Sequence, residues 1–170
     1  MEFFSPIVSK YKKASAIVKV QKNLGGNKFF SKNRQFDNIT LISMKSPTRN
    51  MINTLLNGDF LLLASDQNAR SRGTKILFFG KETSVAKGAG YFHYKTNCPI
   101  AIGFCILKKD NSYSFKLRII DIETERIKEN INDLCIEVNT KYSALLEEEI
   151  KKNPEQYFWF HKKWIRNIYD

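Results

Sequence analysis

Residues 59–79 read DFLLLASDQNARSRGTKILFF. Two apolar runs, 60–64 and 76–79, enclose a loop that holds Asp66, Gln67, Asn68, Arg70, Ser71, Arg72, Gly73 and Lys75. Short apolar runs bounded by polar turn residues have the pattern of buried strands. In open α/β sheets ligands bind beyond the carboxyl ends of strands, which is where this loop falls. Arg70 and Arg72 stand two apart, Lys75 adds charge, and Gly73 permits a close backbone approach. Guanidinium forks match phosphate oxygens in bidentate geometry. Asp66 and Gln67 can orient a sugar hydroxyl or hold the arginines. The competing reading is a solvated loop whose arginines pair with surface acids, with Asp66 capping the turn. The loop has neither the G-x-x-x-x-G-K-[ST] of a P-loop nor a dinucleotide fingerprint.

Outward from the loop, strand and helix patterns alternate. ASAIVKV (14–20) and NITLIS (38–43) read as strands, and GGNKFFSKNRQ (25–35) between them has helical spacing of its Phe residues. Ser46-Pro47-Thr48 supplies a cap and an early Pro for a helix through about Leu56, which Asn57-Gly58 ends. DFLLLAS (59–65) reads as a buried strand and KILFF (75–79) as another. Thr83 or Ser84 is expected to cap a helix running through about Lys95. PIAIGFCILKK (99–109) and YSFKLRIIDIE (113–123) read as strands joined by KDNS, a hairpin signal. A long helix follows, roughly Ile127 to Lys152, closed by Pro154. The order predicts an α/β domain over residues 1–170, a mixed sheet flanked by helices with an antiparallel edge.

A chain of 170 residues can bury a real core, and 42% hydrophobic with 26% charged residues excludes a disordered chain. The net charge of +11 favours polyanions: nucleic acid, phospholipid headgroups or an acidic carrier protein. A lysine-rich compositional bias with no partner is the bland alternative. Single-stranded nucleic acid would need aromatic rings exposed on a sheet with basic flanks. The rings here fall in strands and a tail that read as buried, so no nucleic-acid partner is expected. Cys98, Cys105 and Cys135 form no C-x-x-C and read as free thiols, the first two in the core. MEFFSPIVSKYKK has its charges after its apolar part, unlike a signal peptide, and no window approaches a membrane span of roughly 18 apolar residues.

The two histidines, His93 and His161, have no Cys, Asp or Glu at metal-ligand spacing, so no metal is expected. No G-x-S-x-G supplies a strained nucleophilic Ser. The tail PEQYFWFHKKW mixes five aromatic rings with cationic groups. Rings beside lysines suit a membrane interface. The alternative, a terminal segment docking its rings on the sheet, is the better reading for Tyr157 and Trp159. Lys162, Lys163 and Arg166 are then left to face an anionic surface.

Taken together, LLNGDFLLLASDQ (55–67), the FFG of 78–80, Thr83 at a helix opening, CPIAIGFCILKKD (98–110) and the ending EEEIKKNPEQYFWFHKKW (147–164) resemble the bacterial late acyltransferases of lipid A biosynthesis, the lauroyl/myristoyl type. The resemblance covers nearly the whole chain. It implies a glycerolphosphate-acyltransferase-like α/β fold. The implied reaction moves a fatty acyl chain from acyl carrier protein, or coenzyme A, to a hydroxyl of an acylated, phosphorylated glucosamine disaccharide, with no cofactor. The implied place is the cytoplasmic face of the inner membrane. Both substrates are anionic, which gives the +11 charge a use.

The family's chemistry rests on an H-x-x-x-x-[DE] motif, in which the His takes the acceptor proton and the acid orients it. By resemblance Glu2 in MEFFSP is that acid, and the His falls before residue 1. The expectation is therefore a domain truncated at its N-terminus: the product of a split or frameshifted gene, a remnant, or a piece complemented by a separate upstream segment. Alone it would be inactive, or a non-catalytic remnant that binds anionic lipid or acyl carrier protein. Arg49, in SPTRNMINTLL, matches a family Arg and reads as a substrate-phosphate contact. Asp66 and Gln67 match the strand-end DQ, and Arg70 and Arg72 join them as substrate-binding residues by analogy with a basic loop in related acyltransferases.

Overall fold

The computed structural model describes residues 5–122 and 130–164. The chain divides into two compact units, Met1–Ala64 and Ser65–Asp170.

The first unit is built on three parallel strands, β1 (Ala14–Val18), β2 (Ile39–Ser43) and β3 (Phe60–Leu62), in the order β2-β1-β3. Ala14 pairs with Ile39 on one side and Phe60 on the other. A short helix, α1 (Ser5–Val8), precedes β1. Parallel neighbours require crossovers, supplied by α2 (Leu24–Asn33) and α3 (Thr48–Leu56). Asn23 caps α2 by accepting the Gly26 N–H at 2.8 Å. On α3, Met51 and Thr54 are buried, and the Thr54 hydroxyl lies 3.1 Å from Asn50 O and 3.2 Å from the Ser15 hydroxyl of the central strand. Gly58, with φ +77°, ends α3 in the left-handed region, as Asn57-Gly58 foretold.

Two local expectations are corrected here. Ser46 does not cap α3: Pro47 holds the cap position without a side-chain bond, and the Ser46 N–H donates to Ser43 O at 2.9 Å. The strand read at 59–65 shrinks to Phe60–Leu62, with Phe60 exposed and Leu61 and Leu62 half-buried. Among the described residues it pairs with β1 alone, so it has the partial cover of an edge strand.

The second unit holds two antiparallel hairpins and two helices. Strands β4 (Thr74–Phe78) and β5 (Lys81–Val85) pair Phe78 with Lys81 across the two-residue turn Phe79-Gly80. Both turn residues have positive φ, +49° and +72°, the requirement of a type I′ turn. This overturns the helix capped by Thr83 or Ser84. Residues 83–85 are β-favouring and buried in β5, and helix α4 spans Gly88–Thr96. Strands β6 (Ile100–Leu107) and β7 (Tyr113–Ile120) form the expected hairpin, in register from Ile100↔Ile120 to Leu107↔Tyr113. Helix α5 spans Ile131–Lys152, later than the expected start near Ile127, which lies outside the described residues. It buries Leu134, Val138, Leu146 and Ile150 at helical spacing. Leu146 and Ile150 pack with Phe78, Ile102 and Phe104 into one core. Cys135 is buried, but Cys98 and Cys105 are only half-buried. The class is α/β, but the mixed sheet with an antiparallel edge that was expected does not form among the described residues: parallel and antiparallel pairing lie in separate small sheets.

Helices α4 and α5 meet at Gly90, where an added Cβ would lie 2.8 Å from the Cys135 Cα. That backbone cannot yield cheaply. Gly90→Ala is expected to destabilise the fold by about 1–3 kcal/mol, read as a lower urea midpoint; an unchanged midpoint would mean that the helices do not pack this closely.

Candidate functional site

The loop from Ser65 to Gly73 is held by the chain's C-terminal segment. Trp164 forms an antiparallel bridge with Thr83 of β5, and the Thr83 hydroxyl donates to Lys163 O. The Asn68 side-chain amide donates to Lys163 O at 2.8 Å and to Trp164 O at 3.1 Å. Trp164 Nε1 donates to Phe78 O at 2.9 Å. Lys163 itself is 1% exposed. Its ammonium donates to Asp66 O and sits 4.9 Å from the centre of the Phe78 ring, a cation–π contact.

Burial dominates the electrostatics here. It pulls the Lys163 pKa down to about 8, with the Asp66 carboxylate opposing the shift. Burial likewise pushes the Tyr142 hydroxyl on α5 far up, with Asp66 and Tyr157 adding to the effect. The half-buried Asp66 therefore acts on both groups.

Downstream, Arg70–Arg72 make a single 3-10 turn. Arg70 has φ +54°, uncommon for a side chain larger than glycine. It is held there on both sides: its N–H donates to Asn68 Oδ1 at 2.7 Å, and its carbonyl accepts the Ser84 hydroxyl at 2.6 Å. The Ala69 N–H donates to Ser84 O at 3.0 Å. Gly73 does allow a close approach, but to its own chain. An added Cβ would clash with the Ser84 hydroxyl and lie 2.5 Å from Val85 O. Arg70, Arg72 and Gln67 are exposed, and among the described residues neither guanidinium has an ion-pair partner.

Comparison with known families matches residues 4–166 of the 170 to the bacterial lipid A biosynthesis acyltransferases. The chain belongs to this family. A search of curated proteins found none that matches it.

The acyltransferase site residues read from the sequence are distributed as follows. Asp66, Gln67, Arg70 and Arg72 share one pinned loop in the second unit. Arg49 is exposed in the first turn of α3, in the first unit. Glu2 lies outside the described residues. The sequence reading missed Asn68, Thr83 and Lys163, which fix the loop, and Tyr142 beside it. Lys163 had been assigned to an anionic surface, yet it is the buried anchor; Lys162 is exposed and Arg166 lies outside the described residues. The tail rings divide. Tyr157 is half-buried, and Trp159 bonds Pro154 O at 2.8 Å and stacks on Trp164. Phe158, Trp159 and Phe160 are all exposed, contrary to the buried tail expected, Trp159 despite its stacking on Trp164. His93 is buried with Nδ1 at 2.8 Å from Cys98 O, and His161 stacks on Phe158.

The depressed Lys163 pKa has a signed consequence. Between about 8 and the ordinary 10.5 the unfolded chain keeps a proton that the folded chain has released, so stability rises with pH across that window. Urea midpoints of the parent should climb relative to those of Lys163→Met between about pH 8 and about pH 9.5. Parallel curves would show that the ammonium is not desolvated.

Proposed function

We propose that the chain serves acyl transfer to a phosphorylated lipid A precursor, and that the Asp66–Arg72 loop grips an acceptor phosphate. The observation that carries this reading is the pairing of two exposed guanidiniums with a backbone fixed by Asn68, Ser84 and Lys163. A loop that is already ordered loses little entropy when it binds. In the reaction, the acceptor hydroxyl oxygen attacks the thioester carbonyl of the acyl donor. A C–O bond forms, the C–S bond breaks, the hydroxyl proton passes to a base, and the thiolate leaves and is protonated.

Glu2 is proposed as the acid that orients this base, a histidine supplied by sequence on the amino side of Met1. Arg49 is proposed as a second phosphate contact. The donor is proposed to be acyl carrier protein, whose acidic surface suits the +11 charge. The domain is proposed to resemble the glycerolphosphate acyltransferases and to act at the cytoplasmic face of the inner membrane. Among the described residues no helix is long and apolar enough to cross a membrane. Contact with the bilayer would then fall to surface groups or to residues outside those described.

The test uses a version extended by the histidine-bearing segment, assayed with phosphorylated and dephosphorylated acceptors. Arg70→Ala, Arg72→Ala and Arg49→Ala should each lower kcat/KM on the phosphorylated acceptor by roughly tenfold or more. The dephosphorylated acceptor should be turned over equally by parent and variants. Unchanged transfer to the phosphorylated acceptor would overturn these roles. Residues 1–170 alone should transfer nothing; turnover by this chain alone would refute the placement of the base.

A further inference from the structure

Helix α2 contributes no buried residue to the first unit. Its Asn27, Phe30 and Ser31, with Arg34 just beyond, line a shallow cavity of about 190 Å³ beside Val18. The rest of the helix circumference carries Leu24, Lys28, Lys32 and Phe29 in turn, with Leu24 adjoining the Asn27–Ser31 stripe. Leu24 is 85% exposed and Phe29 62%; Val20, before the helix, is 55% exposed at the rim of the cavity. From Ile17 to Phe36 the sequence contains Lys19, Lys22, Lys28, Lys32 and Arg34 and no Asp or Glu.

A surface helix ordinarily turns its apolar stripe toward a core. Here Leu24 and Phe29 are exposed among lysines, Phe29 edge-on to the Phe30 ring at 5.6 Å, and they form no single stripe. Like charges would repel a basic partner, a second copy of this +11 chain included. An acidic protein would satisfy the lysines. Apolar side chains spread around a helix among lysines nevertheless suit insertion into a fluid interface better than docking in a rigid groove. Lysine stems can lie along the acyl boundary while their ammonium groups reach phosphates. Each basic group near an anionic surface adds attraction.

We propose that α2 and the turn before it form a docking surface for an anionic lipid bilayer. It is distinct from the Arg70–Arg72 loop and does not depend on the acyltransferase reading. The test is co-sedimentation of the full 170-residue chain with vesicles of phosphatidylcholine, with and without phosphatidylglycerol. Leu24→Ser with Phe29→Ser removes the apolar part, and Lys28→Glu with Lys32→Glu reverses the charge. Leu117→Ser with Ile119→Ser, at the comparably exposed 69% and 75% positions of β7, is the control. All these positions are exposed, and circular dichroism verifies each fold.

The parent and the control should pellet with anionic but not neutral vesicles, and both α2 variants should lose about tenfold or more in binding. The proposal fails if the parent does not distinguish the vesicles, if the α2 variants bind like the parent, or if the control alone loses binding. It also fails if the lysine reversal abolishes capture by an acidic carrier protein and leaves vesicle binding intact.

Discussion

A desolvated ammonium is the constraint on which the second unit turns. Removing a lysine charge from water costs several kcal/mol unless the protein supplies substitutes. At Lys163 three substitutes converge: the Asp66 carbonyl, the face of Phe78 and the nearby Asp66 carboxylate. The geometry that satisfies the side chain also places the Lys163 backbone. Its carbonyl then takes the Thr83 hydroxyl and the Asn68 amide, and the next residue, Trp164, closes on Phe78. Strand β5, the strand-end loop and the chain's last described turn are thereby tied through one side chain.

That tie gives the basic loop its character. Arg70 stays at positive φ because Asn68 and Ser84 bind its two backbone groups, and Asn68 is itself fixed by the Lys163–Trp164 backbone. Strain of this kind persists only where surroundings over-determine it, and it concentrates at functional sites. Backbone groups of Asp66, Ala69, Arg70 and Arg72 hold the loop's shape, while its guanidiniums face solvent. For an anion in water this division is favourable, since charge is presented without reordering the chain.

Much of this was legible in the residues. The β6–β7 hairpin and α5 announce themselves through two strand-like runs around KDNS and a long helical segment closed by Pro154. The β4–β5 hairpin was missed for a physical reason. Its turn places Phe79 at positive φ, where composition leads one to expect Asn, Asp or Gly. Phe79 is held by its N–H bond to Glu147 at 2.7 Å and by ring contacts with Phe78 and Trp159, none of them local in pattern except the first ring. Gly73 was rightly singled out for close approach, but the approaching group is Ser84, not a ligand. Lys162 and Lys163 are identical as letters; only the packing around Phe78 distinguishes the exposed one from the buried one. Asp66 and Gln67 were singled out by their place after an apolar run, although β3 ends at Leu62, and the partners of Asp66 lie far along the chain and left no local signal.

The most direct measurement is a nuclear magnetic resonance titration of the chain with a phosphorylated glucosamine disaccharide and, in parallel, its dephosphorylated form. If the pinned loop holds phosphate, the backbone amides of residues 69–73 and the Nε–H signals of Arg70 and Arg72 shift saturably with the first sugar and not with the second. Shifts that are absent from these residues, or equal for the two sugars, would contradict a phosphate role for the loop.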